Sequence, residues 1–293
     1  MQLQTEEKIK KPSWVHQYWK VLCWEVILFS LTLILGIISS LRIIQSPEIE
    51  VQKIPMEPRF LWEFILSFSV VFLIVFLIIR FVKFRPGKGI LFKIFFIIPV
   101  FVGGTFFLEL WIGEPLALIL ISFLIFYWIK KPNLLVHNFL LISGMIGVGS
   151  VFGLRLDPLL VVFLLIIFSI YDIIAVYKTK HMIKMAKEMI EAGAIPGLIL
   201  PPKISEFQAP LKDVKVGGRF VILGGGDIVF PLLLVASIVP YSVLDSAIVA
   251  ISATFGLLVS FLIFALQKTR QPIPALPPIA TFSILGYLMT IIL

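Results

Sequence analysis

The chain has 293 residues, of which 59% are apolar and 14% charged, and its mean hydropathy is +1.07. Soluble proteins are about 45–50% apolar, so this composition excludes a soluble enzyme and predicts a polytopic membrane protein. The net charge of +8 does not indicate a nucleic-acid partner, because the 25 Lys and Arg residues lie between apolar runs rather than along one polar face.

Charged residues and prolines divide the chain into nine apolar runs, each predicted to be a transmembrane helix. Nine helices of about 20 residues need roughly 180 apolar residues, close to the total of about 173 that 59% of the chain represents. The expected fold class is therefore an all-α, multi-pass protein of the cell membrane. The predicted spans are residues 21–41, 61–79, 90–111, 115–129, 134–153, 158–177, 217–239, 241–266 and 279–293.

Basic residues predict the orientation of these spans. Of the 25 Lys and Arg residues, 21 lie in the N-terminal tail, in the connections after spans two, four, six and eight, or in the adjoining span ends. Because basic residues accumulate on the cytoplasmic side, the N-terminus is predicted inside and the C-terminus outside. The predicted regions are a basic cytoplasmic tail (1–20), spans one to six (21–177), a cytoplasmic loop (178–216) and spans seven to nine (217–293).

The loop at 178–216 is the one long polar segment between spans. Its first part predicts a basic amphipathic helix lying on the membrane, ended by Gly193 and by Pro196-Gly197. A plain solvated connector is the alternative. The residues on which this prediction rests are Met182, Met185, Ala186, Met189 and Ile190 at helical spacing, with Lys180, Lys184 and Lys187 nearby.

Two of the five aspartates, Asp172 and Asp227, fall well inside predicted spans. A carboxylate there costs about 2.5–3.5 kcal/mol on insertion scales and so indicates function, with a structural polar contact as the alternative. Asp172 precedes Lys178 by six residues, or about 9 Å. Asp227 follows Arg219 by eight residues, or about 12 Å. Because the two spans are antiparallel, the acids are predicted at nearly the same depth below the inner surface, where they can face each other.

Facing carboxylates in a poorly solvated site cannot both ionise, so the pair shares one proton. This arrangement suits hydrolysis, because the ionised member takes a proton from water while the protonated member polarises the scissile carbonyl. The same pair can carry a proton in a transporter. The pair by itself leaves both functions open.

Two neighbouring features concern the backbone around these acids. Gly224, Gly225 and Gly226 precede Asp227 and permit another backbone to approach closely, although tight helix packing is an alternative reason for them.

Residues 272–278 contain four prolines, which predict a non-helical segment. The helix left at 279–293 would span only about 22 Å, so part of this segment is predicted within the membrane, at the depth of the acids. An ordinary connector before a short tilted helix is the alternative.

These residues resemble the motifs of a known family. Tyr171-Asp172, Gly224-x-Gly226-Asp227 and Pro274-Ala275-Leu276 are similar, in that order, to the YD, GxGD and PAL motifs of the presenilin and signal peptide peptidase intramembrane aspartyl proteases. The inside N-terminus is similar to presenilin, and the short chain is similar to the archaeal homologues. Gly225 departs from the bulkier residue that presenilins often have at this position.

The resemblance implies an intramembrane aspartic endopeptidase that cleaves transmembrane helices of other membrane proteins within the lipid bilayer. It implies that Asp172 and Asp227 are catalytic and that no cofactor or metal takes part. It also leaves homo-oligomer formation open. The implied supporting residues are Tyr171, Gly224, Gly225 and Gly226, and the implied substrate-binding residues are Pro274, Ala275 and Leu276.

Other functions are less consistent with the sequence. The chain lacks the H-E-x-x-H motif of zinc proteases, and its three histidines are scattered over the tail, the first turn of predicted span five and the loop 178–216. It also lacks the serine context of a rhomboid-type protease and a histidine deep within a span, and its single cysteine, Cys23, is expected to pack as a small apolar side chain. A proton- or cation-coupled transporter remains the main alternative, because such proteins also place broken helices beside acids. A non-catalytic membrane chaperone or scaffold is a further alternative.

Overall fold

A computed structural model describes residues 13–46, 66, 70, 85–178, 181–215, 218–267 and 272–292. Within these ranges the chain forms nine α-helices and one two-stranded sheet. Predicted span two lies outside the described residues, apart from the helical positions 66 and 70. The helices are α1 (Ser13–Gln45), α2 (Arg85–Ile112), α3 (Glu114–Lys130), α4 (Leu134–Arg155), α5 (Pro158–Ile173), α6 (His181–Ala192), α7 (Gly225–Ile238), α8 (Val243–Ala265) and α9 (Leu276–Ile292), and the strands are β1 (Gly197–Leu200) and β2 (Val221–Gly224).

The helical membrane class predicted from composition is confirmed. In the described ranges, five helices are long and apolar enough to cross a membrane: α1, α2, α4, α8, and α5 together with the π-helical turn Ile174–Lys178 that extends it. The helices α7 and α9 are apolar but shorter, with 14 and 17 residues. The total of nine spans and the orientation of the termini stay predictions.

Predicted span seven is wrong in its first part. It was expected to be helical from residue 217, but residues Val221–Gly224 form β2, and α7 begins only at Gly225. β2 pairs in antiparallel register with β1, from Gly197 opposite Gly224 to Leu200 opposite Val221. A short apolar run has the same composition in a buried strand as in a buried helix, so hydropathy could not distinguish them.

The start of the last helix also differs from the prediction. The non-helical segment was expected to extend through residue 278, but α9 begins at Leu276 and includes Pro277 and Pro278. Proline is tolerated in the first helical turn because the N–H groups there have no acceptor within the helix. Residues 272–275 are irregular, as predicted.

The amphipathic helix predicted in the loop is present as α6. It ends at Gly193, whose φ of 67° lies in the left-handed region that glycine adopts without a steric penalty. The Gly193 N–H donates to the Ile190 carbonyl and the Ala194 N–H donates to the Met189 carbonyl, both at 3.0 Å. This pattern is a Schellman motif, which satisfies the last carbonyls of the helix.

Glycines bring the central helix α4 into close contact with its neighbours. A Cβ atom on Gly147 would overlap the backbone of Gly103 on α2, and a Cβ on Gly149 would lie 2.5 Å from the Leu232 side chain on α7. The small residues of predicted span five therefore serve tight helix packing, as is usual in membranes. α4 and α7 form the buried centre against which α1, α2 and α8 pack.

Candidate active site

The two intramembrane aspartates lie on adjacent antiparallel helices, α5 and α7. Phe168 on α5 stacks on Phe230 on α7, with ring centroids 4.3 Å apart. Phe168 precedes Asp172 by four residues and Phe230 follows Asp227 by three, so each ring lies on the same helix face as its aspartate. The stack therefore aligns the two acids, and their carboxyl groups are close enough to interact electrostatically.

Asp172 lies in the last turn of α5 and is buried, with only 7% of its surface exposed. The Leu276 N–H donates a hydrogen bond of 3.3 Å to its Oδ2 atom. Immediately after Asp172 the helix widens into the π-helical turn Ile174–Lys178, a distortion found often at functional sites. Asp172 is thus bonded directly to the first residue of α9.

Asp227 is half-buried at the third position of α7. Gly224, the residue that caps this helix, lies against its carboxyl group, since a Cβ atom on Gly224 would be 2.9 Å from Asp227 Oδ2. An acid at the third position beside the capping residue corresponds to one half of a capping box; the other half needs a cap side chain, which glycine lacks. The motif Gly224 to Asp227 therefore fixes the position of the carboxyl group as well as beginning the helix.

The β1–β2 ribbon holds this capped helix end in place. Asn138 on α4 binds both backbone groups of Ile199 on β1: its Nδ2 donates to the carbonyl at 2.8 Å and its Oδ1 accepts from the N–H at 2.9 Å. The Gly225 N–H donates to the Pro196 carbonyl at 2.8 Å. A Cβ atom on Gly225 would lie 3.0 Å from that same carbonyl oxygen, so the start of α7 packs tightly against the residue that precedes β1.

One of the three predicted substrate-binding residues contacts a carboxyl group of the site. Pro274 and Leu276 are buried and Ala275 is half-buried. The structure brings Leu276 into contact with Asp172 through the hydrogen bond described above. The helix α8 packs against the start of α9, which follows Pro274 and Ala275. Gly256 on α8 lies directly against the backbone of Pro278 and Ile279 in the first turn of α9.

Tyr171 has a different environment from the rest of the predicted site. Its side chain is 47% exposed at the surface of α5, whereas that of the adjacent Asp172 is buried. Of the supporting glycines, Gly224 and Gly225 are half-buried and Gly226 is exposed. The supporting role expected for Tyr171 stays a prediction.

A third acid, Glu25, was missed in the sequence. Glu25 is only 5% exposed on α1, and its Oε2 atom has no hydrogen-bond partner among the residues that the structure describes. It interacts electrostatically with Asp227, and α1 packs against α7. Glu25 lies within predicted span one, so the cost of placing a carboxylate in a membrane would have identified it.

The site is built from carboxyl groups and backbone amides. Over the described ranges, no three His, Cys, Asp or Glu side chains come together as metal ligands would. The paired carboxyl groups can exchange protons with a bound water and with a carbonyl group, which is the chemistry of acid–base hydrolysis.

The fold and the paired carboxyl groups together define a multi-pass helical membrane protein with a two-aspartate site. Residues 26–293 match the family model described as signal-peptide peptidase, presenilin aspartyl protease. The chain therefore belongs to this family and is an intramembrane aspartic endopeptidase. Its membership confirms the resemblance drawn from the three short motifs.

The fold is also similar to solved structures. One is a presenilin family intramembrane aspartate protease, with a TM-score of 0.57, 23% identity, and coverage of 92% of this chain and 97% of that one. A second crystal form of such a protease gives a TM-score of 0.57, 24% identity, and coverage of 90% and 96%. No curated protein matches the sequence. At this level of identity the structural likeness supports the fold, and the roles of individual residues need separate argument.

Proposed function

We propose that Asp172 and Asp227 form the catalytic pair of an endopeptidase that hydrolyses peptide bonds in the transmembrane segments of other membrane proteins. The observation that carries this proposal is the placement of the two acids: they lie on the helix faces that the Phe168–Phe230 stack joins, and Asp172 is bonded to the first residue of α9. Isolated acids within membranes often make structural contacts. Two acids so placed, beside an irregular proline-rich segment, are better explained by catalysis.

The proposed chemistry needs one proton shared by the pair. The ionised carboxylate removes a proton from water as the water oxygen attacks the scissile carbonyl carbon, and the protonated carboxyl group donates its proton to the carbonyl oxygen. The resulting diol collapses as the C–N bond breaks: the carboxyl group that took the water proton gives it to the leaving nitrogen, and the other carboxylate takes a proton from one diol hydroxyl. The products are a carboxylic acid and an amine, and the pair again holds one proton.

A helical substrate must unwind before this chemistry, because its carbonyls are held in i to i−4 hydrogen bonds. Residues 272–275 are irregular, so their backbone groups can pair with an extended substrate segment. We assign substrate binding to Pro274, Ala275 and Leu276 on this basis. The hydrogen bond from Leu276 to Asp172 would place such a segment directly beside the catalytic pair.

In the proposed orientation the N-terminus is inside, the C-terminus is outside and the protein resides in the cell membrane. Water then reaches Asp172 and Asp227 from the inner face, since both lie at the ends of α5 and α7 nearest the connection 178–216. Cleavage is expected near the inner end of the substrate helix.

Cleavage of a reporter transmembrane peptide by the purified protein in liposomes tests the proposed function. We expect two peptide products that mass spectrometry places near the inner end of the reporter helix. A coupled transporter is not favoured by the family match, but it makes a distinct prediction: proton-coupled uptake into the same liposomes. Uptake without peptide cleavage would replace the protease proposal.

The shared proton predicts a bell-shaped pH dependence of kcat/KM. At low pH both carboxyl groups are protonated and no base remains, while at high pH both are ionised and no acid remains. The rate should therefore fall on both sides of one optimum when cleavage is measured between about pH 4 and pH 9. A rate that stays constant over this range would mean that the pair does not govern the chemical step.

The glycines before Asp227 provide a matched pair of substitutions. A Cβ atom on Gly224 would lie 2.9 Å from Asp227 Oδ2, whereas a Cβ on Gly226 would meet nothing closer than 3.7 Å. Gly224→Ala should therefore displace the carboxyl group and lower the cleavage rate about 10- to 100-fold. The clash involves only a side-chain end, so thermal stability should change little.

Gly226→Ala is the control, since it makes the same chemical change one residue from Asp227. Its cleavage rate should stay within about 3-fold of the wild type. Equal losses in the two variants would show that helix-end flexibility, rather than the position of the Asp227 carboxyl group, sets the rate.

A further inference from the structure

A second polar site lies away from the aspartates, where α2, α3, α6 and the residues around 211–215 meet. It is a cavity of about 750 Å³ with four lysines in its wall. We call it the lysine cavity. Among the described residues none of these lysines forms an ion pair, and Glu191 is the one carboxylate in the lining. The lysines are Lys93, Lys187, Lys212 and Lys215.

The cavity also contains a buried donor without a partner. Trp128, at the end of α3, lines the cavity and is only 2% exposed, and its Nε1 has no hydrogen-bond partner in the described part of the chain. Its ring stacks on Phe96 at 4.7 Å, and Phe96 stacks on His137 at 4.9 Å, so the donor is held in a fixed orientation. This N–H group and four lysines in one cavity wall are suited to bind anionic oxygen atoms.

The position of the cavity identifies the source of such an anion. Trp128 lies two residues before Lys130, where α3 ends, and Lys187 lies on the amphipathic helix α6. In the proposed orientation both are at the inner membrane surface, where lipid headgroups are found. Basic pockets between helices on this side bind anionic headgroups.

Part of the cavity wall is formed by two segments of the chain that connects Asp172 to Asp227. α6 is connected to Asp172 through the π-helical turn Ile174–Lys178. The segment with Lys212 and Lys215 leads into β2 and then to Asp227. An anion held between Lys187 and these two lysines therefore joins the segment after one aspartate to the segment before the other.

We propose that the lysine cavity binds the phosphate headgroup of an anionic phospholipid and that the bound headgroup promotes proteolysis by joining these two segments. The proposed headgroup binding depends only on the cavity, whereas its effect on proteolysis rests on the proposed function. Free phosphate has the same charged group, so the test must distinguish the two sources.

Native mass spectrometry of the protein in neutral detergent tests the binding half. We expect phosphatidylglycerol to remain bound where phosphatidylcholine with the same acyl chains does not. The double variant Lys187→Gln/Lys212→Gln should bind phosphatidylglycerol about 30-fold more weakly, since each lysine near an anionic headgroup contributes about 5-fold. The control Lys20→Gln/Lys203→Gln makes the same charge change at exposed lysines outside the cavity lining and should bind normally. Equal weakening in both would overturn the site in favour of diffuse attraction.

A second variant tests the buried donor. Trp128→Phe keeps an aromatic ring against Phe96 but removes the N–H group, so phosphatidylglycerol binding should weaken about 10-fold. Trp111→Phe, at the far end of α2, is its control. Unchanged phosphatidylglycerol binding by Trp128→Phe would show that the indole N–H does not bind the headgroup. Displacement of the lipid by inorganic phosphate would overturn the lipid as the ligand.

Cleavage assays in phosphatidylcholine liposomes, with and without added phosphatidylglycerol, test the effect on proteolysis. The wild-type rate should rise several-fold with phosphatidylglycerol, and that of the Lys187→Gln/Lys212→Gln variant should not. Binding without a change in rate would overturn the regulatory half only. Lipid binding by a wild-type protein that cleaves nothing would instead contradict the proposed function and leave the binding site intact.

Discussion

Asp172→Asn and Asp227→Asn should each reduce cleavage of a transmembrane reporter by at least about 10³-fold, to below detection. Each substitution leaves one carboxyl group, which cannot act as base and acid at once, and acid–base catalysis contributes about 10²- to 10⁴-fold for each group. Because the two groups act as a unit, the double variant should be no less active than either single variant. The measurement is product formation in liposomes, followed by mass spectrometry.

Loss of activity is informative only if the variants fold. Asn is close to Asp in size and can still accept the hydrogen bond from the Leu276 N–H, so we expect thermal unfolding of Asp172→Asn within a few degrees of the wild type. Asp245→Asn provides the matched control, because Asp245 lies in the first turn of α8, outside the site. Its activity should be unchanged. Cleavage that survives either Asp172→Asn or Asp227→Asn would exclude the two-aspartate mechanism.

The helical elements were largely predictable because each depends on a local property of the chain. Long apolar runs give membrane-spanning helices whatever their neighbours are. The amphipathic helix α6 followed from apolar spacing, and Gly193 marked its end. Sequence spacing also placed Asp172 and Asp227 at similar depth, because the rise of a helix is fixed at about 1.5 Å per residue. α5 and α7 do lie side by side, aligned by Phe168 and Phe230.

The remaining parts of the site depend on contacts between distant residues. The ribbon of β1 and β2 joins Gly197 to Gly224, and Asn138 completes the backbone bonding of Ile199 from a helix about 60 positions earlier in the chain. No local pattern encodes such a pairing. The bond between Leu276 and Asp172 likewise connects residues 104 positions apart. Glu25 was predictable by the rule that identified the aspartates, since placing a glutamate carboxylate within a membrane costs about as much free energy as placing an aspartate carboxylate there.

Gly256→Ala should have the second largest effect, because it would shift the segment from Pro274 to Leu276. A Cβ atom on Gly256 would lie 2.6 Å from Ile279 Cα and 2.7 Å from the Pro278 carbonyl oxygen. Both are backbone atoms of the first turn of α9, so the helix itself must move away from α8. Overpacking of this kind costs about 1–3 kcal/mol, and here the movement is transmitted to Leu276, three residues before Ile279.

Two measurements separate the expected consequences. Thermal unfolding of Gly256→Ala should occur at lower temperature than that of the wild type, and cleavage should fall about 100-fold because the Leu276 N–H no longer meets Asp172. Gly89→Ala is the matched control, since its Cβ would meet only the Ala192 Cβ at 3.8 Å, an ordinary contact. Alanine is the better helix former, so this control should unfold at the same or a slightly higher temperature and remain active. If Gly256→Ala loses stability but keeps full activity, α8 supports the fold without positioning Leu276. The hydrogen bond to Asp172 would then have to be maintained by α5 and α7.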